Sequence, residues 1–264
     1  MLQPDRWGGR VVLKITLLTT VMHDTDNLII RDVPVSSVVL ELDDGRLAII
    51  DTGMADNPDL AVQLDEYGYA APDFSLLLNT HLHPDHIGGN RLFSNARILI
   101  SRREWDYERR LSRRLQEGED PVSILENAGR NADPFIRQLA WDLKQLARDY
   151  PPESLIGDQA QLEYYEDEPQ LPKAISLLPV PGHSIDSQAV ILQGKTRRAT
   201  AAGDALYHRD LWRTDPVAGL HYNHRQFRRS AEIIADFPDI IIPGHDRAFD
   251  NLTRQYLEKD SWKI

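Results

Sequence analysis

The densest chemistry in this 264-residue chain is the six-residue run His81-Leu82-His83-Pro84-Asp85-His86, in which four side chains can ligate a metal. Imidazole mixed with carboxylate suits zinc, iron or manganese, whereas calcium takes oxygen ligands. Without a cation, four such groups placed directly after an apolar strand would leave polar atoms unmet at a folding cost, so metal binding is expected here. His183 in Pro181-Gly182-His183, Asp204 in Gly203-Asp204 and His245 in Pro243-Gly244-His245-Asp246 follow apolar stretches in the same way. Each of these alone reads more readily as a cap or core residue. Counted together, three His and one shared carboxylate serve one ion, and an Asp, two His and the same carboxylate serve a second. That leaves two open sites with room for a bridging water.

The elements that must position these loops are legible as two separate strand-rich halves. In the first, residues 11–21, 35–42 and 46–50 are β-branched and apolar, with the turn signal Asp43-Asp44-Gly45 between the last two. A turn at Asp51-Thr52-Gly53, an amphipathic helix over 57–67, and strands over 74–78 and 97–100 follow. Residues 102–150 read as two or three helices whose arginines alternate with acids, the pattern of a solvated, ion-paired face. Residues 150–172 read as a connector. The second half predicts strands over 175–180, 188–192, 198–202 and 240–242, a helix over 224–237 with Phe227, Ile233 and Ile234 on its buried face, and a last helix at the C-terminus.

Composition narrows the function. There is no Cys, which excludes disulfides, thiolate metal sites, iron–sulfur clusters and Cys nucleophiles. The formal net charge of −11 disfavours a nucleic-acid partner. The apolar run over 11–22 is broken by Lys14 and Thr16, Thr19 and Thr20, is too short for a bilayer and lacks a cleavage pattern, so no membrane partner and a cytoplasmic location are expected.

Thr80-His81-Leu82-His83-Pro84-Asp85-His86-Ile87-Gly88-Gly89 resembles the signature of the metallo-β-lactamase superfamily. Asp51-Thr52-Gly53 resembles its first motif, and Pro181-Gly182-His183-Ser184, Gly203-Asp204 and Pro243-Gly244-His245 its third, fourth and fifth, in the right order. The resemblance implies an α/β (α+β) fold: a four-layer αββα sandwich, one domain over 1–264, with the metal site at one edge of the two sheets and a helical insert at about 102–170 between the halves. It also implies that His81, His83 and His183 hold a first metal, that Asp85, His86 and His245 hold a second, and that Asp204 bridges them. Asp51 would order the ligand loops without being a ligand. The implied cofactor is two Zn2+, with iron, manganese or a mixed pair as alternatives.

Within the superfamily, the commonest true β-lactamases carry a Cys where Asp204 stands, glyoxalase II carries a long helical C-terminal domain where 19 residues follow His245 here, and persulfide dioxygenases use a single iron. The chain is most similar to the N-acyl homoserine (quorum-quenching) lactonases, which share the complete second site, the short end after Gly244-His245-Asp246, and a Tyr three residues after the bridging Asp, here Tyr207. It departs from them in the long insert and in Pro84. The implied activity is opening of a small-molecule lactone or ester by a metal-bridging hydroxide, with Asp85 as proton donor and Tyr207 donating to the oxyanion; as a lone feature Tyr207 also reads as a core residue. Alternatives are phosphodiester or nuclease chemistry, thioester or sulfur chemistry of the glyoxalase II and persulfide dioxygenase kind, and a non-catalytic small-molecule sensor. Trp105 and Phe135 are candidates for lining an acyl groove, with packing on the body the plainer role, and His208, Arg213 and His221 for touching substrate, with a cap or surface role for the histidines and a salt bridge to Asp210 or Asp215 for Arg213 the plainer readings. A homodimer is the assembly left open.

Overall fold

The computed structural model describes residues 11–22, 32–55, 57–127, 134–210, 222–237 and 239–264. The first half contributes β1 (Val12–Met22), β2 (Val33–Leu42), β3 (Leu47–Ile50), α1 (Asp59–Glu66), β4 (Phe74–Leu78), α2 (Pro84–Ile87) and β5 (Arg97–Ile100). Helices α3 (Arg102–Gln116), α4 (Pro121–Asn127), α5 (Pro134–Asp149) and α6 (Pro152–Leu155) follow, then β6 (Leu162–Tyr164). The second half is β7 (Ile175–Pro179), β8 (Gln188–Gln193), β9 (Arg198–Gly203), α7 (His224–Ala235), β10 (Ile240–Pro243), β11 (Phe249–Asp250) and β12 (Ser261–Lys263).

The strands form two sheets, ordered β12-β1-β2-β3-β4-β5-β6 and β11-β10-β9-β8-β7. Their inner strands read as unbroken apolar runs because both faces are covered. Leu76 and Leu78 of β4 face the opposing sheet with Ala48 and Ile50, against Val190, Leu192, Ala199, Ala201, Ile240 and Ile242. The alternate residues Ile49, Leu77 and Ile98 pack outward against Leu60 and Leu64 of α1, Ile87 of α2, Trp105 of α3 and Leu155 of α6. On the far side, Ile241 and Ala202 meet Ile234 of α7. Period-two alternation through both sheets therefore builds the αββα layering.

Three expectations are corrected. The C-terminal segment is not a helix: its short strands close an edge of each sheet, Phe249 and Asp250 pairing with β10 and Ser261–Lys263 with β1. Strands of two or three residues carry no periodicity of their own and are set by the strand they join. The connector over 150–172 contains β6, which runs parallel to β5 and is fastened by a two-pronged Arg97–Glu163 pair at 2.5 and 2.6 Å. On α7 the buried face is Phe227, Ser230, Ala231 and Ile234, and Ile233 turns to solvent. Helices α3 to α5 stack through side chains as well, the Ala147 carbonyl accepting from Ser112 Oγ at 3.1 Å and from Gln116 Nε2 at 2.8 Å. No described helix is long and apolar enough to cross a membrane.

Candidate metal centre

The predicted ligands lie at strand ends along one edge of the sandwich. β4 delivers Asn79-Thr80-His81; Pro84 starts α2 at a position where its missing N–H costs nothing, with His83 extended just before it, so Asp85 and His86 lie in a single helical turn. His183 sits in the turn between β7 and β8, Asp204 directly after β9, and His245 directly after β10. Two glycines allow the close approach. Gly203 has φ of +50°, and a Cβ there would fall 2.5 Å from Thr80 Oγ1; a Cβ on Gly244 would fall 2.0 Å from Asp204 Oδ1.

Asp204 is the hub. Its Oδ2 lies 3.1 Å from His245 Nε2, 3.3 Å from His183 Nε2 and 3.9 Å from His81 Nε2, and its Oδ1 lies 3.2 Å from His86 Nε2. His183 Nε2 is 2.9 Å from His83 Nδ1, and Asp85 Oδ2 is 3.6 Å from His86 Nε2 and 3.7 Å from His245 Nε2. Three groups have ligand atoms within 4.8 Å of one another: His81, His83 and His183; Asp85, His86 and His245; and His81, His86 and Asp204. The first two groups are the two expected sets, and the third places Asp204 between them.

The far nitrogens of the rings set which nitrogen is bare. The Thr80 hydroxyl donates to Asp51 Oδ2 at 2.7 Å, so it accepts from His81 Nδ1 at 3.1 Å. His86 Nδ1 donates to Asp51 Oδ2 at 3.0 Å, and His245 Nδ1 donates to the Pro34 carbonyl at 2.8 Å. With Nδ1 protonated in each, Nε2 carries a lone pair into the cluster. His81 Nε2, His86 Nε2 and Asp204 Oδ1 are buried there without a hydrogen bond. Lone pairs from several buried rings and a carboxylate, converging with nothing to accept from, are the donor set of a divalent transition metal. The residues present fit that group.

Charge agrees. Burial, reinforced by His86 and His83, holds His81 well below the usual imidazole range, the neutral state a ligand needs. Burial opposes ionisation of Asp204, yet His245, His86 and His183 keep it well below the usual carboxylate range. Burial would lower His86 too, but Asp204, Asp85 and Asp51 carry it well above its ordinary value. A cation satisfies those three carboxylates in place of that proton.

Asp51 is placed as expected, around the cluster and not in it: Oδ1 accepts the Thr80 amide at 2.8 Å, and both partners of Oδ2 are described above. Its φ of +54° turns the chain sharply out of β3. Tyr207 brings its hydroxyl to 2.5 Å from His183 Nδ1. Trp105 is corrected: at 4% exposure it packs among Ile98, Ile100 and Leu155 beneath sheet one and lines no groove. His208 meets Asp246 Oδ2 at 3.4 Å and accepts the Asp210 amide at 3.2 Å. Arg213 and His221 lie outside the described residues, as does the side chain of Phe135.

Several supporting residues escape sequence reasoning. Thr80 relays Asp51 to His81. Asn79, Thr52 and Asn90 form a buried amide–hydroxyl network, Thr52 Oγ1 donating to Asn90 Oδ1 at 2.8 Å and Asn90 Nδ2 to Asn79 Oδ1 at 2.9 Å, with Asn79 Nδ2 on the His86 carbonyl at 3.2 Å. Their sequence signals are the place of Thr52 in Asp51-Thr52-Gly53 and the nearness of Asn79 and Asn90 to the His run. Glu104 of α3 is fully buried, and burial pushes its carboxyl up to about 7; its sequence neighbourhood offers only the Ser101-x-x-Glu104 spacing of a helix start, which does not mark a buried acid.

The family model described as the metallo-beta-lactamase superfamily matches residues 30–245. An N-acyl homoserine lactonase of Bacillus cereus is 24% identical over 197 residues, covering 73% of this chain and 64% of the relative's own length. A second N-acyl homoserine lactonase, from a Bacillus species, is 23% identical over 243 residues, covering 81% of this chain and 82% of the relative. Among solved structures, a dizinc quorum-quenching lactonase in complex with a product superposes with a TM-score of 0.60 at 20% identity, over 81% of this chain and 73% of the other. At these identities the structural likeness speaks for the fold.

Proposed function

We propose, from the premise that this chain belongs to the metallo-beta-lactamase superfamily, that it is a metal-dependent hydrolase opening a lactone or ester of a small molecule, of the N-acyl homoserine lactone kind. One observation carries the reading: buried imidazoles whose Nδ1 atoms are tied to acceptors turn bare Nε2 atoms toward one buried carboxylate. His81, His83 and His183 would hold one cation, Asp85, His86 and His245 the other, with Asp204 shared; two zinc ions are the proposed pair. Bound there, divalent cations supply Lewis acidity for the carbonyl oxygen and lower the pKa of a bound water toward about 7.

The chain's own side chains do the rest. Asp204 is sealed at 4% side-chain exposure, and its charge is spent on the site. Asp85 keeps 16% exposure, so it alone of the cluster's carboxylates can meet a leaving alkoxide and exchange its proton with solvent. Tyr207 steadies His183 through Nδ1 and in this reading turns its phenol to the developing oxyanion. The lactonase relatives support the lactone assignment. Several of the insert's arginines are neutralised by acids, Arg102 by Asp167, Arg109 by Glu153 and Arg114 by Glu119, which speaks against a nucleic-acid phosphodiester as substrate.

A pH-indicator assay of the zinc-loaded protein over lactones, carboxylic esters and phosphodiesters tests this. Turnover concentrated on lactones or esters and abolished by chelation is expected. Turnover confined to phosphodiesters would overturn it.

A further inference from the structure

We propose that Glu104, at the start of the insert, is a positioning residue that ties the loop carrying His183 to the first half of the chain, which carries His81 and His83, and so sets the affinity of that half of the metal centre. The proposal rests on the ligand assignment above. Those histidines come from opposite halves of the chain, yet His83 Nδ1 and His183 Nε2 must stay 2.9 Å apart. No strand pairing joins β4 to β7, which lie in different sheets; the Gln188 amide donates to the Thr80 carbonyl at 2.8 Å, five residues past His183. A further tie has to hold the loop nearer to His183.

The first turn of α3 does so. Ser101 caps the helix by accepting the Glu104 amide at 3.1 Å. The Ser-x-x-Glu spacing is that of a capping box, in which the acid would fold back on its own cap residue. Here the carboxyl points elsewhere. Its Oε2 accepts the Asp186 amide at 2.9 Å, three residues beyond His183. Its other oxygen, Oε1, is buried beside it without a hydrogen bond. The grip is reciprocal, because the Asp186 carboxylate lies 2.6 Å from the Ser101 hydroxyl. One fully buried carboxyl therefore ties the first turn of α3 to the loop of His183. Such a buried acceptor cannot be removed without stranding the donor it serves. The insert's first turn is on this account part of the metal centre.

The test is cobalt(II) titration followed by the visible absorption of the bound ion, on the full chain. The wild-type protein should bind two ions; if it binds none, the ligand assignment itself fails. Glu104→Ala is then measured in a His86→Ala background, which isolates the half built by His81, His83 and His183. Its affinity should fall by about 10- to 100-fold, the usual effect of losing a group that orients a ligand, with the absorption band altered. In the single variant the other ion should bind as in wild type. Glu104→Gln keeps one acceptor for the Asp186 amide but removes the carboxylate that makes that bond strong, so it should fall between the two. If Glu104→Ala does not fold, the isosteric Gln variant decides, with a loss of at least about threefold expected. Wild-type affinity in either folded variant, or equal weakening of both ions alongside lowered thermal stability, overturns the proposal.

Discussion

Asp51→Asn tests the histidine tautomers of the metal centre with no change of shape. Asn tolerates the left-handed backbone that Asp51 adopts at φ +54°, so the turn out of β3 should persist. The side-chain oxygen can still accept the Thr80 amide, now made at 2.8 Å. The NH2 must then occupy the place of Oδ2, against Thr80 Oγ1 and His86 Nδ1. An NH2 cannot accept from His86. It donates to Nδ1 instead, and the ring proton moves to Nε2, the nitrogen that faces Asp204 at 3.2 Å and has to be bare to bind a cation. Losing a hydrogen bond to a charged group costs about 1.5–3 kcal/mol, which corresponds to roughly 10- to 150-fold in affinity. The Thr80 hydroxyl loses Oδ2 as its acceptor too and is left to donate to His81 Nδ1, so competition against a chromophoric chelator should show both ions weakened, the one held by His86 over that range. Both affinities within about twofold of wild type would refute the tautomer argument.

Gly88→Ala would set a Cβ 1.9 Å from the Ala55 nitrogen and 2.3 Å from the Met54 carbonyl carbon, both backbone; a loss of about 3 kcal/mol or more, or about 6–12 °C in melting temperature, is expected, and an unchanged melting curve would refute it. Tyr207→Phe removes the bond to His183 Nδ1 and, on the proposed mechanism, the oxyanion donor; kcat on the best lactone should fall by about 10- to 150-fold at intact metal content, and unaltered kcat would leave Tyr207 a packing residue. The folded pKa of Glu104, pushed up to about 7 chiefly by burial, lies above the ordinary 4.5, so the folded state holds a proton that the unfolded chain releases, and the group's contribution to stability is lost as pH rises from about 4.5 to 7. Relative to Glu104→Gln, wild type should therefore lose up to about 3 kcal/mol across that window; parallel stability curves for the two would contradict this.

The ligands were legible because chemistry and geometry coincide in the chain: the His81–His86 run follows a buried strand, and His183, Asp204 and His245 each follow another. The strands were legible from β-branched runs, and the layering followed once both faces proved buried. The C-terminal strands were not, since two or three residues at a sheet edge take their conformation from a partner distant in sequence. Trp105 read as a groove residue because helical spacing does not say which layer a face meets, and its face meets sheet one. Glu104 was invisible for a similar reason: among the ion-paired charges of α3 it looks like one more solvated acid, and only the fold buries it and brings the Asp186 amide to it.

The central claim is that seven side chains, His81, His83, Asp85, His86, His183, Asp204 and His245, hold two cations. Metal content by mass spectrometry, against protein quantified by amino-acid analysis, tests it most directly. Zinc-reconstituted wild type should carry two ions per chain, and His86→Ala should carry one. A wild-type ratio that stays at one or below after reconstitution would contradict the account.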